Sequence, residues 1–202
     1  MEMTYEQVRE NLKSGDVVLF SGKGFVSMVV RWFTSLCNGF RYTKFSHVGM
    51  VATDSERILI FESTQLKGKK GVQLNAMSER IKEYGGQCWV RHLACDRGES
   101  YHSTLSNYIQ EMLGRKYERN LIELMGATSH LVQKLSDHDD HLKTVFCSEL
   151  VCGGMKRQKH LPKSKPANFY DPQDFELNGV IDKHLCEAER PAKLSDVIKV
   201  ML

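Results

Sequence analysis

Residues 145–151 read Val-Phe-Cys-Ser-Glu-Leu-Val, and this stretch decides how the chain is interpreted. Residues 143–146 predict an extended segment, and the residues from Cys147 to Arg157 predict a helix. Cys147 is therefore expected at a helix N-terminus, where unpaired N–H groups and the helix dipole favour the reactive thiolate. The same N–H groups can stabilise an oxyanion beside the sulfur. A cysteine here can equally be a small core residue.

Ser148 follows Cys147 directly and has two possible roles. No Gly-x-Ser-x-Gly elbow surrounds it, which disfavours Ser148 as the nucleophile. Its position in the first helical turn makes it a candidate for contact with an oxyanion or with substrate.

His47 lies in the apolar stretch from Ser46 to Thr53, which predicts a strand. An unpaired imidazole is costly to bury, so His47 is either hydrogen-bonded for structural reasons or placed for acid–base chemistry. A second predicted strand, from Arg57 to Ser63, follows a short polar turn. If the two strands form a hairpin, Glu62 lies beside His47 and can accept its second ring N–H. The alternative for Glu62 is a solvated carboxylate at a strand end.

Tyr117 and the histidines of residues 138–141 are further candidates. Tyr117 follows a helix that is predicted to end at Gly114, and its hydroxyl is a candidate oxyanion donor or substrate contact. A structural tyrosine is an equally ordinary interpretation. The sequence His138-Asp-Asp-His141 could hold a metal, but a polar turn gives the same composition, so no metal is expected.

The whole chain has the composition of one globular domain. It has 202 residues, 41% of them hydrophobic, and a net charge of +3. The pI of about 8.5 lies below the range typical of nucleic-acid binders, so no nucleic-acid partner is expected. The basic run from Lys67 to Lys70 is interpreted as a solvated turn. Six cysteines without a CxxC pair, and no signal-peptide pattern or membrane span, predict a reduced, cytoplasmic protein.

The remaining pattern predicts helices and strands in alternation, and so an α+β domain over residues 1–202. Helices are expected at Tyr5–Leu12, with Thr4 as N-cap, and at Ser78–Tyr84 and Ser100–Leu113. Strands are expected at Asp16–Phe20, Val72–Leu74 and Cys88–Leu93. Apolar residues at helical spacing from Phe25 to Cys37 predict a helix that either faces the core or lies on a membrane surface.

Taken together, five segments resemble a known family of hydrolases. Gly15-Asp16, Ser46-His47-Val-Gly-Met, Phe61-Glu62-Ser, Gly114-x-x-Tyr117 and Phe146-Cys147-Ser-Glu-Leu-Val resemble the YiiX-like branch of the circularly permuted NlpC-type, papain-like cysteine hydrolases. The order histidine, acid, cysteine is the permuted one. Triads depend on geometry rather than chain order, so the permutation leaves the chemistry intact.

The resemblance implies both a fold and a set of roles. The fold would be a small antiparallel, barrel-like sheet packed on helices. Cys147 would be the nucleophile, His47 the base and Glu62 the orienting acid, with Tyr117 near the cysteine and Asp16 supporting the pocket. Residues 121–142 would be an insertion near the site.

The expected activity is cleavage of an amide or ester through a thioacyl-enzyme, without a cofactor. Relatives of the NlpC type cut peptides, while relatives of the lecithin:retinol acyltransferase type act on lipid acyl chains. A small peptide, an amino-acid amide or a lipid is therefore the expected substrate, with peripheral membrane contact in the lipid case. A lipid acyltransferase or thioesterase, or a non-catalytic binding protein on the same fold, is the alternative.

Overall fold

The protein is built around a seven-stranded β-sheet. The structure is a computed structural model, and it describes residues 1–22, 44–54, 57–117 and 144–202. Its strands are β1 (Glu2–Thr4), β2 (Val17–Ser21), β3 (His47–Thr53), β4 (Ile58–Leu66), β5 (Lys69–Ala76), β6 (Gln87–Arg91) and β11 (Ile198–Met201). The spatial order is β1-β11-β6-β2-β3-β4-β5, and every pair is antiparallel except the parallel pair β1–β11. The predicted α+β class is confirmed.

The predicted barrel-like closure is not observed. Within the described residues the sheet is open, with β1 at one edge and β5 at the other. Two small pairs lie outside it: β7 (Leu93–Ala94) with β10 (Lys193–Leu194), and β8 (Lys116–Tyr117) with β9 (Thr144–Val145).

Helices pack on both faces of the sheet. In the described part of the chain they are α1 (Tyr5–Arg9), α2 (Met77–Glu83), α3 (Glu99–Met112), α4 (Cys147–Arg157) and α5 (Val180–Cys186), with 3₁₀ turns at Ala167–Phe169 and Pro172–Phe175. The central strand β2 is buried on both faces because its side chains alternate between two core clusters. Val17 and Leu19 pack toward α3, α4 and α5, whereas Val18 and Phe20 pack toward α1 and α2.

Several predicted elements are confirmed with small shifts. Thr4 caps α1 in a capping box with Gln7. The helix predicted at Cys147–Arg157 has those same bounds. Only half of the basic run forms the turn of the β4–β5 hairpin, namely Lys67 and Gly68, which both have positive φ. Lys69 and Lys70 are paired residues of β5 instead.

Other elements differ from the prediction. The predicted strand Cys88–Leu93 is broken at His92, whose backbone N–H donates to Ser195 Oγ. The short elements β1 and α5 were not predicted. The predicted helix at Phe25–Cys37 lies outside the described residues, as do residues 121–142.

Candidate active site

Neighbouring strands place His47 and Glu62 together. His47 is the first residue of β3, and the β3–β4 register pairs Met50 with Phe61. Continued by one residue, that register sets Glu62 beside Gly49, on the same face as His47. A Cβ at Gly49 would come within 2.6 Å of Ile60 Cγ2 and 3.4 Å of Glu62 Cβ. The missing side chain at Gly49 therefore leaves room for Ile60, on the strand that carries Glu62.

The Glu62 carboxylate is completely buried and fully hydrogen-bonded. Its Oε2 accepts from His47 Nε2 at 2.7 Å and from Arg80 Nη2 at 3.2 Å. Its Oε1 accepts from Arg80 Nε at 2.7 Å and from Asn75 Nδ2 at 2.9 Å. Burial alone would raise the pKa of Glu62, but the hydrogen bonds and charges of His47 and Arg80 outweigh it and hold the pKa at about 2. Glu62 is thus an anion at neutral pH.

Cys147 is the first residue of α4, and its thiol lies close enough to the His47 side chain for each group to shift the pKa of the other. With Nε2 of His47 on Glu62, Nδ1 is the ring nitrogen left for the thiol. Burial opposes ionisation of Cys147, but the charge and hydrogen bond of His47, followed by the backbone N–H groups of Val48 and Ser148, lower its pKa. The residue as a whole is partly exposed.

His47 carries the matching shift. Burial would lower its pKa, but the charge and hydrogen bond of Cys147, followed by those of Glu62, raise the pKa to about 9. The Cys147 thiolate and the His47 imidazolium therefore stabilise each other's charged form. Glu62 stabilises the imidazolium from the other side of the ring.

The first turn of α4 also contains Glu149, a second carboxyl group near the cysteine. Its Oε2 accepts the backbone N–H of Phe146 at 3.3 Å, which closes the helix start. Burial raises the pKa of Glu149 to about 7, against the opposing effects of that hydrogen bond and of Arg115. Glu149 has no hydrogen bond to His47 among the described contacts.

The oxyanion or substrate roles expected for Ser148 and Tyr117 both stay predictions. Ser148 is buried, and its backbone N–H donates toward the Cys147 sulfur. The backbone of Tyr117 lies in β8, paired with Val145 of β9, two residues before the cysteine. The side chain of Tyr117 lies outside the described residues, so its oxyanion role stays a prediction.

Sequence reasoning missed Arg80 and Asn75. Arg80 lies on α2 between the buried residues Met77 and Ile81, so it occupies the apolar face of a predicted helix. Its guanidinium stacks over the rings of Phe20, at 4.8 Å, and Tyr84, at 5.0 Å. A cation at such a position signals a buried partner, and Glu62 is that partner.

Asp16 lies away from the triad and is bonded on both oxygens. Oδ1 accepts from the Leu93 N–H at 3.0 Å and from Arg97 Nη2 at 2.7 Å. Oδ2 accepts from His92 Nδ1 at 2.7 Å and from the Lys13 N–H at 3.1 Å. These bonds tie the loop at residues 13–16 to the segment at residues 92–97, in agreement with the predicted supporting role.

The described residues contain neither a candidate metal site nor a membrane-spanning helix. Outside the gaps at 23–43, 55–56 and 118–143, no three His, Cys, Asp or Glu side chains lie close enough to hold a metal ion. The candidate residues His138–His141 lie in one of those gaps. None of the helices in the same described ranges is long and apolar enough to cross a membrane.

Similarity to known proteins is limited to solved structures. No protein-family model and no curated protein matches the chain. Among solved structures, five chains match, one of them the crystal structure of metalloprotein yiiX from Escherichia coli O157:H7 (DUF1105). The two chains are 18% identical with a TM-score of 0.45, and the match covers 71% of this chain and 64% of yiiX. The chain thus spans less than two thirds of that protein's length.

Proposed function

We propose that the protein is a thiol hydrolase that cleaves an amide or ester, with Cys147 as nucleophile, His47 as base and Glu62 as the orienting acid. The observation that carries the proposal is the hydrogen bond from His47 Nε2 to buried Glu62, on a histidine whose pKa is raised, and a Cys147 thiol whose pKa is lowered, each by the other. A cysteine that only packs would have a raised pKa, as buried Cys88 and Cys152 do. Cys147 has a lowered one.

The first half of the reaction forms a thioester. The Cys147 thiolate attacks the carbonyl carbon, and the electron pair of the C=O bond moves to oxygen. The backbone N–H of Cys147, free at the start of α4, can donate to that oxyanion. When the intermediate collapses, the bond to the leaving nitrogen or oxygen breaks, and the His47 imidazolium gives its proton to the leaving group.

The second half releases the acyl group. Neutral His47 takes a proton from water, and the resulting hydroxide attacks the thioester carbonyl. Collapse breaks the C–S bond and restores the thiolate beside the imidazolium. Glu62 remains ionised throughout, because His47 and Arg80 keep its pKa near 2. An alcohol in place of water would turn the same steps into acyl transfer.

The chain order of these residues supports a permuted papain-like topology as part of the proposal. The histidine and the acid come from β3 and β4, and the cysteine follows at the start of α4. The resemblance of the five sequence segments implies the same arrangement. Peptide, amino-acid amide and lipid substrates are all compatible with this chemistry.

The test is capture of the acyl-enzyme. The wild type and Cys147→Ala are incubated with nitrophenyl esters and nitroanilides of acyl groups ranging from amino acids to long fatty acids. We expect product release and a mass increase equal to the acyl group on Cys147 in the wild type, and neither in Cys147→Ala. Cys186→Ser, which changes an exposed cysteine, is the matched control and retains activity. Turnover that survives in Cys147→Ala would refute the proposal.

A further inference from the structure

A polar pocket lies at the opposite end of β2 from the His47 site. Asp16 directly precedes β2, whereas Phe20 near its other end is paired with His47. The pocket has a volume of about 490 Å³, which is within the usual range for a small-molecule site. The polar residues that matter here are Lys13, Asp16, His92, Arg97, Lys193 and Ser195.

The carboxylate in this pocket is not available to a ligand. Both oxygens of Asp16 already accept two hydrogen bonds each, and the side chain is only 1% exposed. Asp16 instead fixes His92 and Arg97 in position at the pocket wall. A cation entering the pocket would therefore find no free carboxylate oxygen.

The cations of the pocket are not balanced. Three of its lining residues, Lys13, Arg97 and Lys193, are positively charged, against the single carboxylate of Asp16. Both lysines are exposed, and neither ammonium group has a hydrogen-bond or ion-pair partner among the described residues. Arg97 donates from Nε to Ser14 O and from Nη2 to Asp16, and it lines the pocket together with the two lysines. The pocket thus offers donors and an excess of two positive charges.

A neighbouring groove gives a useful contrast. It has about 510 Å³ and shares Lys13 and Arg97 with the pocket. Its other two cations are already paired, Arg9 with Glu6 at 3.3 Å and Arg57 with Asp54 at 2.7 Å. The unpaired positive charge is therefore concentrated in the first pocket, which Lys193 lines, and not in the groove.

We propose that this pocket binds a small phosphomonoester, with the phosphate held by Lys13, Lys193 and Arg97. A phosphate ester carries about two negative charges at neutral pH and accepts hydrogen bonds through three oxygens, which matches the charge excess and the free donors. Leu93, Ala94 and Leu194 supply an apolar wall for the organic part. This site is separate from the proposed hydrolase site and does not depend on it.

Titration calorimetry at constant ionic strength tests the proposal, with inorganic phosphate, phenyl phosphate and neutral phenol as probes. We expect phenyl phosphate to bind more tightly than phosphate, with a Kd on the order of 1 mM or below, and phenol not to bind. Lys13→Met and Lys193→Met should each weaken binding about fivefold. Lys69→Met removes an exposed lysine of β5 that does not line the pocket, and it should change nothing.

Each contrary result overturns the proposal. No heat with either phosphate, or equal affinity in Lys13→Met and Lys69→Met, would exclude the site. A short oligonucleotide that binds more tightly than phenyl phosphate and loses affinity in the same variants would replace the small molecule with a nucleic acid. Thermal unfolding of each variant is measured alongside, and the exposed positions of both lysines lead us to expect unchanged folding.

Discussion

The charge on Glu62 should set the proton affinity of His47, and Glu62→Gln measures that effect. The Nε2–Oε2 distance is 2.7 Å, and the carboxylate is completely buried. Replacing a charge-assisted hydrogen bond by a neutral one removes about 1–1.5 kcal/mol, which corresponds to roughly one pKa unit. Arg80, left without its anion, further disfavours the imidazolium. We expect the pKa of His47 to fall by about one unit or more from its wild-type value of about 9.

The assay is NMR titration of the imidazole nitrogens, with His47 assigned by the signal missing from His47→Asn. Glu149→Gln is the matched control, because it changes a buried carboxyl group that does not contact His47 and should leave the titration unchanged. Cys147→Ala keeps the Glu62–Arg80 pair and should also lower the pKa of His47, since the thiolate is the first of the groups that raise it. A wild-type pKa near 6.5, or no change in Glu62→Gln, would refute the reasoning.

Three further predictions concern stability, measured by urea unfolding. Arg80→Met should lower the free energy of unfolding by about 3–5 kcal/mol, because it leaves the buried Glu62 carboxylate without two of its hydrogen-bond donors. A decrease below about 1 kcal/mol would contradict this prediction. Gly49→Ala should lower the free energy of unfolding by about 1–3 kcal/mol, because the new methyl group clashes with Ile60. An unchanged urea midpoint would contradict this, since it would show that Ile60 moves aside without cost. The free energy of unfolding of the wild type should exceed that of Glu62→Gln because of the coupled His47–Glu62 pair. This difference should be largest between pH 4.5 and 6.5. It should fall as Glu62 is protonated toward pH 2 and as His47 loses its proton through pH 9, so a difference independent of pH would exclude the linkage.

Local sequence patterns were sufficient to place the three central residues. The apolar runs around His47 and Glu62, separated by a short polar turn, predicted a hairpin, and in the structure β3 and β4 are antiparallel. The start of α4 at Cys147 followed from the change from an extended to an amphipathic pattern. Each inference needed only contacts between residues that are close in the sequence.

Contacts between distant segments could not be predicted in the same way. Arg80 and Glu62 are 18 residues apart, and their pairing depends on how α2 folds back over β4. The barrel-like closure was inferred from resemblance rather than from the residues, and the open order of the strands differs from it. Arg91 is a similar case, because its buried guanidinium binds Ser195 O and Asp182 from segments about a hundred residues later.

The pH dependence of Cys147 alkylation tests the central claim most directly. The rate of reaction with iodoacetamide at Cys147 is followed by peptide mass spectrometry, which separates it from the other cysteines. If His47 activates Cys147, alkylation is fast at pH 6, well below the ordinary thiol pKa of about 8.5, and much of that rate is lost in His47→Asn. A rate that rises steadily up to about pH 8.5 and is the same in His47→Asn would show an ordinary thiol, and would contradict the account.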